Sequence, residues 1–96
     1  MPRKYPPLTP EEIRRILCVR GFVHDSTTDS HELYRALSRG KIRRVTVDQH
    51  YREFSDRLIV YMIDQSGLTR EEFYGSTRET ARKIELRADE YPIPVK

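Results

Sequence analysis

The fold is decided by the stretch Ser30-His31-Glu32-Leu33-Tyr34-Arg35-Ala36-Leu37-Ser38-Arg39-Gly40-Lys41-Ile42-Arg43-Arg44-Val45-Thr46-Val47. Its second half, 42–47, is rich in β-branched side chains, which favour strands. A glycine sits inside 38–41, where a tight turn between two strands needs one. We therefore predict a β-hairpin with strands at 30–36 and 42–47.

A helix and a further strand precede this hairpin. Thr9-Pro10-Glu11-Glu12 combines a capping box with proline at the first helical position, and it predicts a helix over about 10–20. Gly21 is placed to end that helix in the left-handed region. Phe22-Val23-His24 then begins a strand, and the polar segment 25–29 predicts the first turn.

Helix signals follow the hairpin. A helix is predicted from Ser55 or Asp56, with the apolar stripe Leu58, Ile59, Met62 and Ile63, and Gly67 stops it. A second capping box at 69–72 opens a short helix. A third cap at 76–79 predicts a last helix that reaches Arg87 or Ala88, before an extended, loose tail.

This order predicts one α+β domain of the type α-β-β-β-α. Three hairpin-connected strands form an antiparallel sheet, helices cover one face of it, and a C-terminal helical extension follows. The predicted divisions are an extended lead-in at 1–8, the domain at 9–75, and the last helix with its tail at 76–96. The open face of the sheet is expected to carry part of the basic residues.

Composition restricts the class of protein. Among 96 residues, 36% are hydrophobic and 34% are charged, so we expect one domain with a thin, two-layered core. The single cysteine, Cys18, is predicted to be packed in the core; it excludes an intrachain disulfide and fits a reducing cytoplasm. No apolar run approaches the roughly 20 residues that span a bilayer. The basic start, 1–7, has no apolar segment behind it, so we expect no secretory signal and no membrane partner.

Positive charge is concentrated around the hairpin. The net charge is only +3, but the stretch 35–52 contains six cations and one carboxylate, Asp48. Such a surface attracts phosphates, which favours a nucleic acid as the partner. His31 begins the same region, and histidine is the side chain that exchanges protons most readily near neutral pH.

Six short motifs follow one another within residues 9–75: Gly21-Phe22, Ser30-His31, Val45-Thr46-Val47, Glu53-Phe54, Gln65-Ser66-Gly67-Leu68 and Thr69-Arg70-Glu71-Glu72-Phe73. Their order and spacing resemble the HicA family of toxin–antitoxin ribonucleases. The resemblance implies a fold like that of double-stranded-RNA-binding domains (dsRBD-like). It also implies metal-independent, cofactor-free cleavage of mRNA, with His31 at the position of the motif's histidine. The implied protein partner is a cognate HicB-like antitoxin that covers the active face.

The chain departs from the family pattern at several positions. Asp29 replaces the glycine before the Ser-His pair, and Arg52 stands where the family often has lysine. Arg57-Leu58 replaces a common Gly-Thr, and Val60 replaces a frequent arginine. Asp29 could orient His31 and raise its pKa, or it could repel an incoming phosphate.

RNA can be cleaved by its own 2′-hydroxyl when a base, an acid and cations are supplied. His31 is the candidate catalytic residue, as the base or the acid. Tyr34 and Tyr51 are candidates for stacking on bases. The candidate RNA-binding residues are Ser30, Arg35, Lys41, Arg43, Arg44 and Arg52.

Two alternatives remain open. The chain could be a non-catalytic RNA-binding module on the same fold, or an interaction protein that acts through its C-terminal helix. Ala81 and Ile84 of that helix could pack on the domain, on a second chain in a homo-oligomer, or on the antitoxin. His24 and His50 have no motif around them, so we expect neither to be a functional residue, and the three histidines do not have the spacing of a metal site.

Overall fold

The computed structural model describes residues 3–95, which form a three-stranded sheet and four helices. Along the chain these are α1 (Pro10–Val19), β1 (Val23–Thr28), β2 (His31–Ser38), β3 (Lys41–Asp48), α2 (Asp56–Ser66), α3 (Arg70–Tyr74) and α4 (Arg78–Arg82). The sheet is antiparallel throughout, in the order β1-β2-β3. The predicted α+β class and its α-β-β-β-α order are confirmed. No helix within residues 3–95 is long and apolar enough to cross a membrane.

The central hairpin has a two-residue turn and a regular register. Arg39 and Gly40 form the turn with φ of 53° and 78°, the left-handed conformation of tight hairpin turns. The pairing continues without a shift from Ser38 opposite Lys41 to His31 opposite Asp48. Both strands are therefore longer than predicted at their turn ends.

The first strand, β1, extends further than its apolar residues suggested. It continues through the polar residues to Thr28, and the turn lies at Asp29 and Ser30, with Asp29 at φ 55°. All six residues of β1 are exposed, because β1 is an edge strand that no helix covers. The register shifts between His24 and Ser26, so the strand carries a bulge there.

The core lies between the helices and one face of the sheet. Val45 and Val47 of β3 are fully buried on that face. The apolar stripes predicted on α1 and α2 pack against them, and the capping boxes of α1 and α3 both form. The other face of the sheet is open. Cys18, predicted to be buried, is exposed on α1.

Half of the N-terminal lead-in belongs to the packed domain. Leu8 is fully buried and forms a β-bridge with Phe54. The hydroxyl of Tyr74 donates to the Pro6 carbonyl at 2.7 Å, and Lys83 Nζ donates to the Pro7 carbonyl at 2.8 Å.

The last helix is much shorter than predicted. α4 ends at Arg82, followed by a turn in which Glu85 adopts φ 57°. Bonds from Leu86 N to Ala81 O and from Glu85 N to Arg82 O close the end as a Schellman motif. The predicted continuation to residue 87 or 88 is wrong, because a glutamate takes the left-handed position that glycine usually fills.

The C-terminal tail is held against the domain, so the expectation of a loose segment is also wrong. The Arg20 guanidinium donates to Ser76 Oγ at 2.9 Å and to the carbonyls of Glu72 and Ile93 at 2.7 and 2.6 Å. Ile93 N in turn donates to the Gly75 carbonyl at 3.0 Å. Ala81 is fully buried and Ile84 packs on the core, so both side chains pack within this chain.

Candidate functional site

His31 lies on the open face of the sheet, at the first position of β2. About 57% of its side chain is exposed, and its Nε2 is 3.4 Å from Asp48 Oδ2. The register of the hairpin creates this pair, since His31 and Asp48 are directly opposite each other. An exposed imidazole beside a carboxylate can exchange protons with a ligand while its ring is oriented.

Asp48 is fixed by two further donors. Its Oδ1 accepts hydrogen bonds from the His50 backbone N–H at 3.0 Å and from Ser30 Oγ at 2.8 Å. The bond from His50, the bond from Ser30 and the nearby His31 hold the pKa of Asp48 below its ordinary value. Asp48 is therefore an ionised carboxylate near neutral pH.

The carboxylate beside His31 is that of Asp48, and not that of Asp29 as the sequence suggested. Within the described part of the chain, the ion pair of His31 is with Asp48, whereas Asp29 occupies the β1–β2 turn. The turn reverses the chain after Asp29, and cross-strand pairing brings Asp48 to the imidazole.

A cleft opens beside the His31–Asp48 pair. Its volume is about 240 Å³. The buried side chains of Phe54 and Met62 contribute its apolar lining, while Tyr51 and Tyr61 remain largely exposed. The full lining is His31, Thr46, Asp48, Tyr51, Phe54, Leu58, Tyr61, Met62 and Gln65.

Two of the predicted phosphate-binding cations share the open face with His31. Arg35 and Arg44 are opposite each other in the hairpin. They lie four residues along the strands from the His31–Asp48 pair, which is roughly 13 Å. Arg35 is 3.7 Å from Asp25, whereas Arg44 forms no ion pair among residues 3–95.

The other predicted cations lie elsewhere. Arg43 belongs to the helix-covered face, where its Nε donates to the Ser38 carbonyl at 3.3 Å. Lys41 is at the hairpin turn, seven residues or roughly 23 Å from Asp48 along β3. Arg52 is exposed in the connection before α2. The basic stretch of the sequence is thus divided among several surfaces.

The two tyrosines proposed for stacking on bases, Tyr34 and Tyr51, also lie on different surfaces. Tyr34 is half-buried on the helix-covered face, where its hydroxyl donates to Glu32 and its ring meets His24 edge-on at 5.6 Å. Burial, with the nearby Glu32, raises the pKa of Tyr34. Tyr51 lines the cleft and packs on Phe54, with ring centroids 5.5 Å apart.

Three residues of the site were missed by the sequence reasoning. Asp48 could have been found by counting outward from a two-residue turn, which pairs it with His31. Tyr61 and Gln65 could have been found from helix periodicity, because they share a face of α2 with Leu58. That face borders the cleft beside the hairpin.

No group of three or more His, Cys, Asp or Glu side chains within residues 3–95 is arranged to hold a metal ion. His24 instead contacts Thr27 Oγ1, at 2.6 Å. His50 lines a second hollow, together with Ser30, Asp48 and Tyr51.

Comparisons with known protein families and with curated proteins found no match to this chain.

Proposed function

We propose that the protein is a metal-independent endoribonuclease that cleaves mRNA through attack of the 2′-hydroxyl, with His31 as a general acid or base. The observation that carries this proposal is the His31–Asp48 pair, which combines an exposed imidazole with a fixed, ionised carboxylate on an open face. The resemblance to the HicA family, with His31 at the motif's histidine, supports the same assignment. An mRNA substrate and a single cysteine both fit a cytoplasmic location.

The reaction needs two proton transfers. The 2′-oxygen bonds to the adjacent phosphorus and loses its proton to a base, while the bond from phosphorus to the 5′-oxygen breaks and that oxygen gains a proton from an acid. The products are a 2′,3′-cyclic phosphate and a 5′-hydroxyl. His31 supplies one transfer, and Asp48 orients its ring. We assign the second to His50, because it lines the hollow that shares Asp48 and Tyr51 with the cleft.

A substrate with sulfur in place of the bridging 5′-oxygen separates the two roles. A thiolate leaves without protonation, so the variant that lacks the general acid should cleave this substrate at nearly the wild-type rate. The variant that lacks the base should stay slow. The sulfur substrate should therefore restore cleavage in only one of the two variants, His31→Ala or His50→Ala. If it restores cleavage in neither, the assignment of the general acid to His31 or His50 is contradicted.

The proposal includes a cognate HicB-like antitoxin that covers the open face. Leu37 and Ile42 are 72% and 54% exposed there, next to Arg35 and Arg44. An apolar patch flanked by arginines fits a partner with an apolar, acidic surface.

A charge placed in this patch tests the partner. Leu37→Asp should abolish binding of the antitoxin; because the new charge lies beside Arg35 and Arg44, it should weaken RNA binding but leave the cleavage rate at saturating RNA unchanged. Val19→Asp, at an exposed position on α1, is the matched control and should bind normally. Equal binding of the antitoxin by both variants would place it on another surface.

The alternative is a non-catalytic RNA-binding module. It is favoured by the ionised Asp48, which repels a phosphate close to His31. RNA binding without cleavage, unaffected by His31→Ala, would support this alternative.

A further inference from the structure

We infer that the cleft beside His31 is a binding site for one nucleobase of single-stranded RNA. This inference rests on the proposed function, because it takes RNA as the ligand of the open face. It adds the part of the substrate that the site recognises, a single unstacked base next to the reacting phosphate.

The size and walls of the cleft fit a flat aromatic ring. Its volume of about 240 Å³ is slightly below the range of about 300–1,000 Å³ that is typical of sites for drug-sized ligands. Tyr51 and Tyr61 are 45% and 66% exposed, so both offer ring surface to a ligand. Phe54 and Met62 are almost fully buried and provide an apolar floor.

Gln65 supplies a polar contact with a defined direction. Its Oε1 accepts a hydrogen bond from the Thr46 backbone N–H at 3.3 Å. A backbone N–H can only donate, so the oxygen of the amide must face β3 and the NH2 group must face elsewhere. Within residues 3–95 that NH2 group has no hydrogen-bond partner, and Gln65 lines the cleft. It can donate to an acceptor atom on the edge of a base.

The charges around the cleft favour a nucleotide over an apolar side chain of a protein. His31 lies in its lining, and Arg44 shares the open face without an ion pair among the described residues. A base in the cleft would leave its ribose and phosphates on the side of the imidazole and the arginine. Proteins bind single-stranded RNA in this way, with aromatic side chains on the bases and cations along the backbone.

The test uses short RNA that cannot be cleaved. A fully 2′-O-methylated tetranucleotide and its abasic counterpart, with the same phosphates, are titrated into the protein at one salt concentration. Stacking of one base on aromatic side chains should make the base-containing ligand bind roughly 5- to 150-fold more tightly. NMR shifts should appear at the rings of Tyr51 and Tyr61.

Three variants assign that preference to the cleft. Tyr61→Ala should remove most of it, whereas Val60→Ala, at the neighbouring exposed position of α2 outside the lining, should keep it. Gln65→Glu preserves the oxygen that accepts from Thr46 and removes the donor. It should weaken binding of the base-containing ligand more than binding of the abasic ligand, because only the base loses a hydrogen bond. Charge repulsion alone would weaken binding of both ligands equally.

Equal affinity for the two ligands, no binding of either, or an undiminished preference in Tyr61→Ala would overturn the inference. If neither ligand binds, a side chain of a partner protein becomes the better occupant of the cleft. Cleavage of unmodified RNA by the same preparation is measured separately. Cleavage without a base preference overturns only the base site, and a base preference without cleavage supports the site while contradicting the nuclease.

Discussion

A single carboxylate, Asp48, gives His31 its distinctive environment. Three neighbours contact it: Ser30, His50 and His31 itself. Because hydrogen bonds from the His50 backbone and from Ser30 hold its pKa below the ordinary value, Asp48 is an ionised carboxylate near neutral pH. Changes in cleavage between pH 5 and 8 should therefore not come from Asp48.

Replacing this carboxylate by an amide tests its role in positioning. Asp48→Asn keeps the size of the side chain and removes its charge, so His31 loses its ionic partner. We expect kcat to fall about 10-fold, with KM nearly unchanged. This is less than the loss of about 10²- to 10⁴-fold that is typical when a general acid or base is removed. Asp29→Asn, in the adjacent turn, is the control and should cleave normally. A change in KM alone would identify Asp48 as part of RNA binding.

Neighbouring arginines on opposite faces of β3 provide a matched pair. Arg44→Ala should weaken RNA binding and reduce the slope of log K against log salt by about 0.7, the value for one phosphate contact with a single strand. Arg43→Ala should leave the slope unchanged, because Arg43 lies on the helix-covered face against Ser38 and Gly67. Equal slopes for both variants would remove Arg44 from the RNA surface.

Among the elements, the C-terminal extension differs most from its prediction. It is held by a half-buried guanidinium, that of Arg20, which donates to three oxygens of the extension and α3. The cap at Thr77 was predictable from its residue type. The end of α4 was not, since a left-handed glutamate has no sequence signal, and a basic residue after α1 does not reveal which carbonyls it will meet.

Removal of this guanidinium should loosen the extension. Arg20→Ala removes three hydrogen bonds and leaves the Ile93 carbonyl without this donor. The Glu72 carbonyl keeps its bond from Ser76 Oγ. We therefore expect the free energy of unfolding to fall by roughly 2 kcal/mol. Arg15→Ala, whose side chain is exposed and makes only a 3.4 Å contact with Glu11, should cost less than about 0.5 kcal/mol. Urea denaturation measures both, and equal stabilities would show that the Arg20 bonds contribute little.

At the scale of the whole molecule, the hairpin explains both the success and the failures of the sequence reasoning. The strands, the sheet and the core stripes followed from residue type and periodicity. The basic stretch was treated as one surface, although alternation along a strand places Arg43 and Arg44 on opposite faces. The cleft was not predicted, because it forms only where α2 packs beside β3 and no local sequence pattern specifies that packing.

Global stability should decline in alkali. Burial raises the pKa values of Tyr74 and Tyr34 above the ordinary value of 10. Both rings favour their neutral form in the folded state, so their contribution is complete below about pH 10 and is lost as the pH rises through the folded pKa values. Urea denaturation between pH 8 and 11 should show this loss. Tyr74→Phe should show a smaller decline, and an equal decline would exclude Tyr74 as a cause.

The most direct test of the central claim is cleavage of a labelled single-stranded RNA by the purified protein in EDTA, with His31→Ala in parallel. We predict cleavage by the wild type, cyclic phosphate ends, and a loss of about 10²- to 10⁴-fold in the variant. The variant should keep the wild-type stability, because the imidazole is largely exposed. Binding of RNA by both proteins without cleavage by either, or equal cleavage by both, would contradict the assignment of His31 as the catalytic residue.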